Sequence, residues 1–334
     1  MPFNYHRFGS YIGSDIAAPT KAGKFDVVTG HIVGDGLYAF SSFTFTNAGD
    51  TGRLGPTLSD LQTAYSAESW TQNTAYLNAT TRGIQEWTVP ANGAYTIQCV
   101  GASGGGPYSG YGADYTGTFT LSQGAVIKIV VGQEGLTQYP TYINGTGGGG
   151  SFVVEAPYTA LSNALIVAGG GGGDSYNVTA VSNPYNRKNG QLSTSGGNGY
   201  GATSSSNGGT NGSGGSSTNR ATGGGGFLTN GAYNSQSTGF GYGGDAFVNG
   251  AEGALGTHPD DGRDGPFGGG GFTQRTGFRG CGGGGGYSGG GTGSQNSSSG
   301  NCMGGGGGSV NNGSNQTNTV ASTRGHGYVT ITKV

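Results

Sequence analysis

Apolar and polar residues alternate with a period of two in several short stretches of the chain, and turn residues bound nearly all of them. Phe43-Thr-Phe45-Thr, Gly83-Ile-Gln-Glu-Trp-Thr-Val89 and Ala94-Tyr-Thr-Ile-Gln-Cys-Val100 come first. The last two are joined by Pro90-Ala-Asn-Gly93, whose Asn-Gly pair is a hairpin signal. Residues 116–121, 125–131, 151–155, 164–168 and 327–332 read as further strands. Ahead of them, residues 1–42 carry Phe25-Asp-Val-Val-Thr, His31-Ile-Val and Leu37-Tyr-Ala-Phe40 between Gly and Asp, a β-rich arm that serves as an anchor or as extra edge strands. Helical spacing is clear only over 57–66, where Leu58, Leu61 and Tyr65 recur and Ser59 with Gln62 forms a capping-box pattern. The pattern predicts a mainly β, antiparallel sandwich over 43–334 with one short α-helix.

Glycine changes this picture. The chain has 79 glycines in 334 residues, 11 of them in 1–100 and 68 beyond. Beyond residue 140, seven runs, at 147–150, 169–173, 223–226, 268–271, 282–286, 289–291 and 304–308, interrupt the later strands. Each Gly costs a helix about 1 kcal/mol relative to Ala, so long helices are excluded. Collagen needs a strict three-residue period that is absent here. A flexible linker is the plain alternative, but the final strand follows all seven runs and must return to a sheet. Extended polyglycine helices have three residues per turn and no internal hydrogen bonds, so their N–H and C=O groups point outward to neighbours. Only glycine lets such backbones pack side by side. The runs therefore predict a bundle of polyglycine-type helices inserted in the sandwich, mainly over 147–308.

Charge and chemistry exclude several functions. Charged residues are 9% of the chain and the net charge is −2, which leaves no electrostatic footprint for nucleic acid or an acidic membrane. No segment approaches 18 consecutive apolar residues, and the N-terminus shows no signal-peptide pattern. Three cysteines are too scattered for zinc; a Cys281–Cys302 bridge is compatible with the sequence, and so are three free or buried thiols. Gly101-Ala-Ser103-Gly-Gly105 matches a nucleophile elbow, yet Gly106-Pro107 follows where a helix must. The acidic loop around His258, Asp260, Asp261 and Asp264 lacks EF-hand spacing and reads as a solvated turn. His326 reads as a packed structural residue. No catalytic residue, metal or cofactor is expected.

Several segments resemble the glycine-rich extracellular domain of the anaplastic lymphoma kinase and leukocyte tyrosine kinase receptor family. They include Phe45-Thr-Asn-Ala-Gly-Asp-Thr-Gly-Arg-Leu-Gly-Pro56, Gly83-Ile-Gln-Glu-Trp-Thr-Val-Pro90, Tyr95-Thr-Ile-Gln-Cys-Val-Gly-Ala-Ser-Gly-Gly105, Ile129-Val-Val-Gly-Gln-Glu-Gly135 and Gly325-His-Gly-Tyr-Val-Thr-Ile331, in the family's order. The resemblance implies a sandwich similar to the tumour-necrosis-factor jelly roll, carrying a polyglycine-helix bundle, and a ligand-binding module rather than an enzyme. The chain shows no transmembrane span or kinase and has sparser cysteines, so receptor signalling is not implied.

Without a signal peptide, such a module reads as a virion-surface or tail-fibre protein on phage-like lines, extracellular in placement. Its expected partners are a host-surface receptor, protein or glycan, other virion proteins, and further copies of itself. The alternative is a structural subunit, a capsid decoration or filament, with no host-binding role. Tyr108, Tyr111, Tyr139, Tyr142, Tyr176, Tyr185, Tyr233 and Tyr242 stand among Ser, Gly and Asn. That is the composition of adaptable binding loops, because Tyr offers large contact area at low entropy cost. Any single ring is also accounted for by shielding the end of a glycine run; as a set they are the expected contact surface.

Overall fold

The computed structural model describes residues 36–137, 144–175, 185–234, 241–256, 262–274, 279–295 and 301–334. Two antiparallel sheets use β1 (Ser42–Phe45), β2 (Leu77–Asn78), β3 (Gln85–Thr88), β4 (Gly93–Val100), β5 (Ala113–Leu121), β6 (Val126–Val130), β7 (Ser151–Glu155), β8 (Ala164–Ala168), β9 (Val310–Asn311), β10 (Ser314–Val320) and β11 (Tyr328–Lys333). Their orders are β1-β11-β4-β5-β10 and β9-β8-β7-β6-β3-β2. The protein is thus mainly β, with sheets arranged as in a sandwich. The final strand does return, slotting between β1 and β4 with Ile331 opposite both Phe43 and Ile97.

Alternation decides which side chains meet. In β4, Tyr95, Ile97 and Cys99 point inward while Ala94, Thr96 and Gln98 stay partly exposed. They join Phe45, Trp87, Ile127, Ile129, Val153, Ile166, Val329 and Ile331 in one buried core. The hairpin expected around Asn92-Gly93 does not form. β3 pairs with β2 and β6, whereas β4 pairs with β5 and β11, so the segment crosses from one sheet to the other. Crossing sets Trp87 and Tyr95 edge-to-face at 5.8 Å, burying both rings, which a hairpin in a single sheet would not do. Tyr38 and Phe40 lie beside this core, and Tyr38 stacks on Trp70 at 5.0 Å. Residues 1–35 of the expected arm lie outside the described residues.

The expected helix forms as α1 (Leu58–Ala64), but its cap sits two residues earlier than the Ser59–Gln62 pattern suggested. The N-cap is Thr57, whose hydroxyl accepts from the Asp60 amide at 3.3 Å while Asp60 accepts from the Thr57 amide at 2.8 Å. The acid at the third helical position also favours the positive end of the helix dipole. A second, one-turn helix, α2 (Tyr185–Lys188), was not expected.

The six-stranded sheet is covered on both faces, which is why Phe152, Val153 and Val154 are all buried. One face looks into the sandwich. On the other, Val130, Phe152, Val154 and Val167 pack with Phe227, Phe247, Phe267 and Tyr287 from the glycine-rich segments. These aromatic residues dock the glycine runs on the sheet. The runs themselves interlock through the backbone. Gly148 donates to Gly171 (2.7 Å), Gly170 to Gly285 (2.8 Å) and Gly285 back to Gly148 (3.0 Å), a cycle joining three runs. Gly284 donates to Gly305 and Gly290 to Gly284, extending the lattice. A Cβ on almost any of these residues would strike a neighbouring carbonyl: 2.3 Å at Gly284, 1.9 Å at Gly306. Cys281 and Cys302 are bonded, with their Cα atoms 5.9 Å apart, and Cys99 is free and buried.

Candidate functional site

Of the tyrosines singled out in the sequence, two come together on the surface. Tyr233 follows the run at 223–226 and Tyr242 follows a few residues later; a bridge from Asn234 to Gly241 closes the chain between them. Gly231 donates to Gly244 (2.8 Å), Ala232 to Gly215 (2.8 Å) and Tyr242 to Leu255 (2.9 Å), so neighbouring backbones hold both residues in place. Their rings lie 5.4 Å apart, tilted by 44°, and are 44% and 56% exposed. Two large rings left this open carry a burial cost that a ligand could recover.

The pair borders an open groove of about 390 Å³, lined also by Arg53, Asn230, Asp245 and Leu255. Its polar groups are held by one another. Arg53 is ion-paired to Glu252 at 2.5 Å. The Asn230 amide nitrogen donates to Asp245 Oδ1, and its carbonyl accepts from the Ala246 amide (2.9 Å) and from Asn249 (2.7 Å). Burial raises the Asp245 carboxyl above its ordinary pKa, helped by Glu252 and opposed by Arg53. The groove therefore offers pre-set planar donors and acceptors beside a ring platform.

Tyr108 and Tyr111 lie elsewhere, in the loop after β4. The Arg324 guanidinium covers the Tyr111 ring at 4.9 Å and donates to the Ser109 carbonyl at 2.8 Å, so this ring serves as a seat for the returning C-terminal segment. Tyr108 is 42% exposed, and its carbonyl accepts from Lys188. Nearby, Asp174 is fully buried. Burial raises its pKa to about 7 against the pull of Lys188, the Ser175 backbone amide and Arg324. Tyr185 opens α2, and Tyr139, Tyr142 and Tyr176 lie outside the described residues.

The nucleophile-elbow match puts Ser103 near a carboxylate and an imidazole, but in the wrong order for attack. Ser103 Oγ donates directly to Glu134 (3.0 Å) and accepts from the Gly325 amide (3.0 Å). His326 accepts the Glu134 backbone amide at Nδ1 (2.9 Å), which in the neutral ring leaves the proton on Nε2, so the imidazole faces a backbone amide rather than Ser103. His326 is exposed rather than packed as expected, and its role is to cap that amide. Most of the acidic loop, 257–261, is outside the described residues; Asp264 accepts from the Gly256 amide at 2.8 Å. Among the described residues no cluster of His, Cys, Asp or Glu could hold a metal, and no helix is long and apolar enough to cross a membrane.

No protein-family model matches the chain. A stretch of 103 residues, 29% of the chain, is 32% identical to the leukocyte tyrosine kinase receptor of Mus musculus. The match spans 12% of that receptor's length. It supports a distant relationship to the receptor, in keeping with the resemblance in the sequence motifs.

Sequence reasoning missed Arg53, Asn230, Asp245 and Leu255. Arg53 comes from the sandwich and the others from separate glycine-rich loops, so no spacing in the chain joins them. Only Tyr233 and Tyr242 carried a signal, as rings among small polar residues.

Proposed function

We propose that this chain is a non-enzymatic recognition protein of a virion surface or tail fibre, which contacts a host cell through loops between its glycine runs. In this reading a jelly-roll-like sandwich is the base. The runs are polyglycine-type helices, since at 147–150, 169–173 and 282–286 each hydrogen bond leaves its own run. Such a lattice holds loop ends rigidly while leaving their tips free to vary, the arrangement that suits recognition. The distant relationship to a receptor accords with an extracellular place for the module.

The observation that carries the reading is the exposed Tyr233–Tyr242 pair beside a polar groove, fixed by three neighbouring backbones. Its test is saturation binding of the labelled protein to a panel of bacterial and algal cells, alongside the Tyr233→Ala/Tyr242→Ala variant. Saturable binding that the variant loses is the expected result. Absence of binding to every cell type would refute host recognition.

A second reading has one observation in its favour. Strand β10 is an edge strand with six of its seven residues exposed and no charged side chain. Natural edges usually carry charges that prevent pairing, so this edge suits the joining of copies in a capsid or filament.

A further inference from the structure

We infer that the groove between Tyr233, Tyr242 and Arg53 binds a neutral pyranose sugar of a surface glycan. The inference rests on the recognition reading above and names the ligand of that site. A pyranose ring presents two kinds of surface, a face of C–H bonds and a rim of hydroxyls. The groove presents their complements. The tilted rings of Tyr233 and Tyr242 supply an apolar platform, with Leu255, 38% exposed, beside them. The rim supplies fixed planar groups: the Asp245 carboxylate, the Asn230 amide and the Arg53 guanidinium.

Charge selects a neutral ligand. Arg53 is neutralised by Glu252, which it meets at 2.5 Å, and Asp245 already spends one oxygen on Asn230. Among the described residues no group donates to the second Asp245 oxygen, which is left to accept a sugar hydroxyl. Among the described residues lining the groove, the only cation is Arg53, already paired, so none is left to attract a sialic acid or a sulfate. The polar groups are also preorganised. Asn230 is held at three points, by Asp245, the Ala246 amide and Asn249. Little ordering is left for the moment of binding. A volume of about 390 Å³ falls in the range of small-ligand sites, and the open shape lets a glycan chain continue outward.

The test is an array of neutral, sialylated and sulfated oligosaccharides probed with the full-length protein, followed by saturation-transfer NMR on each binder. Neutral pyranosides are expected to bind saturably, with a loss of at least tenfold in Tyr242→Ala and in Tyr233→Ala. Tyr242→Phe keeps the platform and is expected to keep binding. Thermal unfolding of each variant checks that the fold is intact. Binding only to sialylated or sulfated glycans, or binding unchanged in both alanine variants, overturns the sugar assignment. Cell assays separate this from failure of the recognition reading. Periodate treatment of the cells, which cleaves sugar diols, is expected to abolish binding. If protease abolishes it and periodate does not, the ligand is a protein: the sugar assignment falls and host recognition stands. If no cell binds, the recognition reading falls as well.

Discussion

Replacing Gly284 by alanine tests whether the glycine runs form a load-carrying lattice. Its φ is one any residue adopts, so backbone strain plays no part; the effect is packing alone. The new Cβ would sit 2.3 Å from the Gly170 carbonyl oxygen and 2.9 Å from that of Gly171. Carbon normally approaches such an oxygen to about 3.3 Å, so the run at 169–173 must retreat by roughly 1 Å. That movement strains three bonds: Gly170 to Gly285, Gly307 to Gly170 and Gly148 to Gly171. At about 1–3 kcal/mol for each buried group left unpaired, and after about 0.4–1 kcal/mol of relief from a stiffer unfolded chain, the net loss is about 2–8 kcal/mol. Differential scanning calorimetry should then show Tm lower by at least about 3 °C. Gly306→Val, with its Cβ 1.9 Å from the Asn189 oxygen, should behave alike. Gly124→Asn is the control: its φ of +79° suits Asn and nothing lies within 4 Å. If Gly284→Ala unfolds within 1 °C of the wild type, the lattice argument is wrong.

Other consequences concern single groups. Asp174 has its pKa raised from 3.8 to about 7 by burial. A group raised on folding stabilises most below its unfolded pKa, and that contribution is lost as pH climbs through the folded value. Stability should therefore decline between about pH 4 and 7, by at most about 4 kcal/mol at ~1.4 kcal/mol per unit; denaturant midpoints across this range should flatten in Asp174→Asn. Reducing the Cys281–Cys302 bond, which closes a separation of 21 residues, should cost about 3 kcal/mol, read as a lower unfolding midpoint with reductant. A charge on the bare edge, Thr317→Lys, should shift any self-associated protein toward monomer in sedimentation velocity; an unchanged distribution would remove β10 as the joining surface.

Much of the fold was legible along the chain. Period-two alternation in β4 and β11 and the short apolar runs of β7 and β8 need only local pattern, because one sheet face, or both, must be buried. The helix at 58–64 was likewise visible, although its cap is the Thr57–Asp60 box and not the Ser59–Gln62 pair the pattern pointed to. The Asn92-Gly93 hairpin failed because a turn signal says that the chain bends and not which sheet it enters. Packing Trp87 against Tyr95 across the core decided that. His326 was misjudged for a related reason: its place near the last strand suggested burial, while its exposed ring reaches across to the Glu134 amide.

By itself the sequence determined a β protein whose many glycines keep backbones close, and it marked tyrosines in polar loops as candidate contact residues. Pairing was settled only in three dimensions. Which run bonds to which, and which tyrosines share a groove with Arg53 and Asp245, depend on contacts between residues far apart in the chain. Glycine has no side chain to label its partner, so seven nearly identical runs carry almost no register information. The docking of Phe227, Phe247, Phe267 and Tyr287 on the six-stranded sheet supplies it for the described glycine-rich segments.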